Sequence, residues 1–331
     1  MTAPIPPPVF DPQVNGYAGV DFQSDPVTPE RLRMATQGWR RDGGDQFLLT
    51  LVTDHWPTLV ARLRALRDVV VGRPDIRDVI PGWHIEGPFL SDQPGFHGAH
   101  EPAHMLDPTP EHFRELRDAV GADPLLVTLA PERRGATDAI AEARKLGITV
   151  SLGHTNASTA QIREAVAAGA TGFTHLGNAC PQQLDRHDNI LWRVADIPEL
   201  TVGLIADGLH VSPLLFRLLH RVLPPDRIYY TTDAMAAAGA PPGDYDLGRL
   251  RLRVGPDRIV RQPGRSNFAG SALMPGEILG RASEMLGQPI EAVASAVFEN
   301  PRRWLGMPSR EFISPPTPRL AIAPDSPSRP G

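Results

Sequence analysis

Ile148-Thr-Val-Ser-Leu-Gly-His154 is a short apolar run that stops on a histidine, and Gly172-Phe-Thr-His175 repeats the pattern after an amphipathic segment. Three more runs close on a polar residue in the same way: Val79-Ile-Pro-Gly-Trp-His-Ile-Glu86, Val202-Gly-Leu-Ile-Ala-Asp-Gly-Leu-His210 and Ile228-Tyr-Tyr-Thr-Thr-Asp233. Their length and β-branched content read as buried strands. The same pattern predicts eight strands, near 8–14, 46–52, 79–86, 125–130, 148–153, 172–175, 201–206 and 228–232. Helical patterns lie between most of them, at 28–41, 56–72, 110–119, 135–146, 158–168 and 212–222. The fifth of these opens on Ser158 with Gln161 three positions later, a capping-box pattern. Strands alternating with helices call for a parallel sheet with crossover connections. The fold class is therefore α/β, a (β/α)8 barrel of the TIM type. Such a barrel needs about 250 residues, and the chain has 331. All C-terminal strand ends then face one mouth, where active sites are built.

Residues 176–200 do not read as a helix; they form a polar loop after the sixth strand, a usual place for function. Beyond the eighth strand the pattern suggests a hairpin (Leu247–Val254 and Arg258–Arg261) and helices near 274–286, 290–298 and 301–305. One unit, 1–308, holds the barrel and these helices, and a Pro-rich tail follows at 309–331.

Composition excludes several classes. A hydrophobic fraction of 41% and a charged fraction of 21% are those of a globular protein. The net charge of −5, with acids and bases interspersed, offers no surface for nucleic acid or an anionic membrane. No run approaches the roughly 18 apolar residues of a membrane span. The N-terminal residues lack the basic and apolar regions of a signal peptide, so a cytoplasmic enzyme is expected. Cys180 is the single cysteine, which rules out an intramolecular disulfide, and no base near it in sequence marks it as a nucleophile.

The chemistry is carried by the strand ends. Glu86, His154 and His175 offer one carboxylate and two imidazoles, a set that suits zinc or ferrous iron and leaves a position open for water. Asp233 supplies a carboxylate that can take a proton from such a water and return it to a leaving amine. His84 alternates with Glu86 on one face and reads as a packed or supporting histidine. Asp207 and His210 can hydrogen-bond substrate hydroxyls, and His100, in the loop after the third strand, can polarise a carbonyl. Arg186 suits a phosphate monoester, with a flanking Asn as a further donor. The first strand places Gln13 and Asn15 at alternate positions. Amides are weak ligands compared with imidazole, which predicts one tightly bound metal rather than two.

The segments Asp11–Asp21, His84–Leu90, Gly98–His100, Ser151–Asn156, Thr174–Ala179, Ala206–His210, Thr232–Ala234 and Ala269–Leu273 together resemble the N-acetylglucosamine-6-phosphate deacetylases of the amidohydrolase superfamily. The resemblance implies a metal-dependent amide hydrolase that removes acetyl from an N-acetyl amino sugar 6-phosphate. It implies one divalent metal, Zn2+ or Fe2+, on Glu86, His154 and His175. Asp233 would be the base and then the acid, and His100 would polarise the acetyl carbonyl. Substrate contacts would fall on Ala99, Asn178, Ala179, Arg186, His210, Phe268, Ala269 and Gly270. Arg186 would reach a neighbouring subunit's site, which implies a homodimer.

Three departures from the family pattern stand out. The first strand begins almost at once and Pro318-Arg-Leu-Ala-Ile-Ala323 poorly replaces the usual closing strands, so the family's small β-sandwich is expected to be missing or vestigial. The loop after Glu86 is longer, with Pro94 and His97 added. The stretches Gly177-Asn-Ala-Cys-Pro and Asp185-Arg-His-Asp-Asn differ from the commonest form. The alternatives are the same deacylation on another N-acyl sugar or acyl amine, and a non-catalytic sugar-phosphate-binding barrel.

Overall fold

A computed structural model of the chain describes residues 7–24, 26–264 and 268–308. The tail at 309–331 lies outside the described residues. Eight parallel strands follow one another in the sheet in chain order: β1 (Phe10–Val14), β2 (Gln46–Val52), β3 (Gly82–Glu86), β4 (Leu125–Leu129), β5 (Thr149–Leu152), β6 (Gly172–Phe173), β7 (Thr201–Ile205) and β8 (Ile228–Thr231). The seam between β8 and β1 closes just past the strand ends. There Val14 bridges Ala234 in parallel, and the Asn15 N–H donates to the Ala234 carbonyl at 2.7 Å. Asp11, fully buried on β1, staples the same seam. Its carboxylate accepts from the hydroxyls of Thr231 and Thr232 and from the Thr232 backbone N–H at 2.7 Å.

The helices form the outer ring: α1 (Pro29–Arg41), α2 (Trp56–Val71), α3 (Pro110–Val120), α4 (Ala136–Lys145), α5 (Thr159–Ala168), α6 (Ile190–Ala195) and α7 (Pro213–Val222). Helix α3 shows why they dock. Thr109 caps it, Pro110 starts it, and Phe113, Leu116 and Val120 present one apolar stripe to the sheet. The capping box expected at Ser158 is present, with Ser158 accepting from the Gln161 N–H and Gln161 Oε1 accepting from the Ser158 N–H at 2.9 Å. One continuous core joins both layers; within it Trp39 packs edge-on against Tyr17 and Phe47, with centroids 5.2 and 5.1 Å apart. Burying such a side chain contributes roughly 1.5–3 kcal/mol. After β8 the chain builds a sheet and then α8 (Ile278–Leu286), α9 (Ile290–Val293) and α10 (Glu299–Trp304). Phe298 packs with Phe10, Leu48 and Leu126, and Trp304, Leu305 and Met307 lie against that cluster, so the C-terminal helices cover one end of the strands. The opposite mouth remains for chemistry.

Three expectations change in detail. Residues 190–195, read as loop, form α6, because the Asn189 side chain accepts from the N–H groups of Leu191 and Trp192 and so starts a helix. The hairpin becomes a three-stranded antiparallel sheet: β9 (Gly243–Leu247), β10 (Leu250–Val254) and β11 (Val260–Arg261). Leu247 ends one strand instead of opening the next, since Gly248 at φ +58° reverses the chain. The helix expected over 290–298 runs as one α-helical turn of Ile290–Val293 followed by a 3-10 turn.

Candidate metal centre and active site

Strand register places the polar groups at one rim. Glu86 ends β3 and pairs with Val52 on β2 and Thr128 on β4. His154 and His175 each stand two residues past paired strands, since Leu152 of β5 faces Phe173 of β6. His154, His175 and Asp233 all adopt left-handed backbone, with φ of 50°, 33° and 50°. That region is uncommon for residues other than glycine. Strain of this kind persists only where surrounding contacts over-determine it, and it clusters at functional sites. Gly87, at φ +86°, has a different task. A β-carbon there would collide with Thr53 Oγ1, the atom that hydrogen-bonds His100 Nδ1 at 2.8 Å.

Glu86, His154 and His175 are buried, and each offers a ligand atom within 4.8 Å of the others. Glu86 Oε1 lies 2.8 Å from His175 Nε2 and 3.2 Å from His154 Nε2. On the far side of its ring, His154 Nδ1 meets the Phe96 carbonyl at 3.0 Å. A proton on Nδ1 satisfies that carbonyl and leaves the Nε2 lone pair for a cation, the usual way a metal-binding histidine is oriented. Burial lowers the His154 pKa to about 4, helped by nearby His100, so the imidazole is neutral as a ligand must be. Burial pushes the Glu86 carboxyl up, but the imidazoles of His100, His154 and His175 more than reverse this and hold it well below the ordinary range. Burial opposes protonation of His175 as well, yet Glu86 beside it carries its pKa above the ordinary value. An anionic oxygen with two nitrogen donors around it is a donor set that fits a divalent cation.

Asp233 faces this group. Burial, with Glu86 as a nearby like charge, raises its pKa to about 6. Its Oδ1 accepts from Asn15 Nδ2 at 2.7 Å and Gln13 Nε2 at 3.0 Å, and Gln13 Nε2 also reaches Glu86 Oε1 at 2.9 Å. In the sequence Gln13 and Asn15 read only as poor metal ligands. The structure uses them as donors that orient both carboxylates. Their alternation on β1 was the available signal, but their targets come from the closure of β1 against β8. Thr53 is silent for a similar reason: nothing in the sequence ties it to His100.

One cavity collects most of the expected residues. Glu86, His100, His154, His175 and Asp233 line it together with Ala99, Asn178, Ala179, Phe268, Ala269 and Gly270. It is also lined by Asp54, Arg62 and Arg249, which nothing in the sequence singles out; Asp54 pairs with Arg62 at 3.0 Å and Arg249 at 3.1 Å. Asp207 and His210 line an adjoining depression, where His210 Nδ1 meets Asp207 Oδ2 at 2.6 Å and the His210 ring lies edge-on to Phe268. Arg186 lines neither space in its own chain and sits exposed on the loop with its Nε on His187. His84 is fully buried beneath Glu86, with Nε2 2.8 Å from Thr128 Oγ1, so the supporting reading describes it.

Comparison with known proteins gives this geometry a family. An N-acetylglucosamine-6-phosphate deacetylase of Danio rerio is 33% identical over 316 residues, covering 93% of this chain and 76% of the relative. The chain belongs to the N-acetylglucosamine-6-phosphate deacetylase family, within the amidohydrolase superfamily. A solved structure of the Mycobacterium smegmatis deacetylase, a variant in complex with N-acetyl-D-glucosamine-6-phosphate, superposes with a TM-score of 0.82 at 33% identity, over 92% of this chain and 78% of that one. An N-acetylgalactosamine-6-phosphate deacetylase of Escherichia coli O157:H7 is 32% identical over 312 residues, covering 91% of this chain and 78% of the relative. No protein-family model matches the chain. The barrel expected from the strand pattern is thus the fold of this deacetylase family, and no helix among the described residues is long and apolar enough to cross a membrane.

Proposed function

We propose that this chain hydrolyses the acetamide of an N-acetyl amino sugar 6-phosphate, converting N-acetylglucosamine 6-phosphate and water to glucosamine 6-phosphate and acetate. The observation that carries this reading is the convergence of Glu86, His154 and His175 beside Asp233 in one cavity. Glu86 Oε1 and the Nε2 atoms of the two histidines would hold one divalent cation, Zn2+ or Fe2+. Bound there, such an ion supplies Lewis acidity toward water and the acyl oxygen.

The chain's own residues handle the proton. Asp233, with Oδ1 engaged by Asn15 and Gln13, has Oδ2 left to take a proton from water. The water oxygen bonds to the acetyl carbon, the C–N bond breaks, and the same carboxyl delivers its proton to the departing amine. A pKa raised to about 6 suits a group that must both accept and donate near neutral pH. His100, whose Nδ1 is held by Thr53, is assigned the role of polarising the acetyl carbonyl as negative charge develops on its oxygen.

Substrate contacts are assigned to Ala99, Asn178, Ala179, Phe268, Ala269 and Gly270 in the cavity, with Asp207 and His210 reached from its edge. Arg186 is assigned to the phosphate of a second copy's substrate, which makes the working enzyme a homodimer, and the cytoplasm is the compartment we assign to it. The exposed position of Arg186 outside its own cavity supports that assignment. The Escherichia coli relative favours one alternative substrate, the galactosamine epimer. Acetate release from N-acetylglucosamine 6-phosphate, N-acetylgalactosamine 6-phosphate and unphosphorylated N-acetylglucosamine, with metal-loaded enzyme, tests all three. Rapid turnover of the glucosamine phosphate alone is expected. Preference for the galactosamine phosphate moves the assignment to the epimer, and no release from any sugar overturns the reading.

A further inference from the structure

We infer that Glu132 is a positioning residue for the metal ligand His154. The inference rests on the metal-centre reading above. Glu132 lies three residues past the end of β4, in the turn Ala130-Pro131-Glu132-Arg133, and does not line the cavity. Both of its carboxylate oxygens are spent on the two residues that follow His154. Oε2 accepts from the Thr155 hydroxyl, and Oε1 accepts from the Asn156 backbone N–H at 2.9 Å. Among the described residues Glu132 forms no ion pair, although Arg133 and Arg134 beside it pair with Asp92 and Asp107. A carboxylate directed at a backbone turn in preference to adjacent guanidinium groups is holding that turn.

The turn needs holding. His154 sits at φ +50°, a conformation that costs energy for a residue with a β-carbon. Upstream, its carbonyl accepts from the Ser91 N–H at 3.0 Å and its ring is fixed by the Phe96 carbonyl. Downstream, Glu132 holds the N–H and hydroxyl side of the turn, extended by Thr155, whose buried Oγ1 also accepts from the Ala157 N–H at 2.9 Å, while Arg193 Nη1 donates to the Asn156 and Ala157 carbonyls at 3.2 and 3.0 Å. Without the carboxylate, the Thr155 hydroxyl and the Asn156 N–H lose their partner, and residue 154 can relax toward ordinary backbone. The imidazole would then swing away from Glu86 and His175.

Loss of a group that orients a metal ligand typically costs 10–100-fold in metal affinity or activity. The test is a titration of Zn2+ against a chromophoric competitor chelator, using metal-stripped full-length protein whose folding is checked by circular dichroism. E132A is expected to weaken metal binding by at least about 10-fold, with the KM for substrate at saturating metal little changed. E132Q keeps an acceptor for the Asn156 N–H and is expected to recover part of the affinity. T155V, which removes the hydroxyl at similar volume, is expected to fall between. Should E132A fail to fold, E132Q and T155V carry the same comparison. Metal affinity within twofold of the parent in the folded variants overturns the inference. The titration uses no substrate, so a failed deacetylation assay and a failed clamp are distinguishable.

Discussion

Replacing Asp233 with asparagine keeps the size of the side chain and removes its basicity. The amide oxygen of the substituted side chain can still accept from Asn15 and Gln13, the donors that hold the native carboxylate at 2.7 and 3.0 Å, so the position of the group is retained. The ligand set of Glu86, His154 and His175 is untouched. What disappears is the proton carrier, and general acid–base catalysis contributes typically 10²–10⁴-fold. The expected fall in kcat corresponds to about 3–5 kcal/mol of lost transition-state stabilisation at 1.36 kcal/mol per decade. Stability should move the opposite way. The folded pKa of about 6 lies above the ordinary 3.8, so the folded state holds this proton longer than the unfolded chain. That contribution is fully present below about pH 4 and is lost as pH rises through 6, where the ionised carboxylate costs up to about 3 kcal/mol in the metal-free protein. The variant should therefore be as stable as the parent or more stable at pH 8 without metal. Its stability should also fall less between pH 4 and 6, although Asp11 and Asp21, both raised to about 6, leave some of that slope in place. The assays are acetate release with metal content verified, and thermal unfolding of the chelated proteins from pH 4 to 8. A variant that binds metal and retains kcat within tenfold of the parent would refute the proton-carrier role.

Other outcomes follow from the same geometry. His154→Ala removes a buried imidazole ligand and is expected to copurify with little or no metal, measured by elemental analysis; a full complement of metal would place the ion elsewhere. Arg186→Ala should raise the KM for a 6-phosphorylated sugar by at least about tenfold, the scale of losing a charge-assisted contact, while leaving turnover of the unphosphorylated sugar unchanged. Mixing Arg186→Ala with Asp233→Asn should restore part of the activity if the arginine serves the partner's site, and no restoration would argue against that exchange. Asp11→Ala leaves the Thr232 N–H and hydroxyl at the seam without their acceptor and should cost about 1–3 kcal/mol, read as a lowered urea midpoint; an unchanged midpoint would show that the seam does not depend on it.

The layout of this protein is legible in the order of its amino acids. Strand, helix and strand-end identity are local properties, written in apolar runs of strand length, in helix caps such as Ser158 with Gln161, and in the polar residue that stops each run. Because every barrel strand points the same way, knowing that Glu86, His154, His175 and Asp233 end strands was enough to put them at one mouth. The contacts that span the barrel arise only on folding. Gln13 and Asn15 find Asp233 because β1 closes against β8, more than two hundred residues away in sequence. Thr53 meets His100, and Glu132 meets Thr155, through loops from separate strands. A backbone hydrogen bond or a helix cap is specified by neighbours a few residues apart. A side chain that reaches another loop depends on register, strand tilt and the left-handed turns at His154, His175 and Asp233, and these exist only once the barrel has closed.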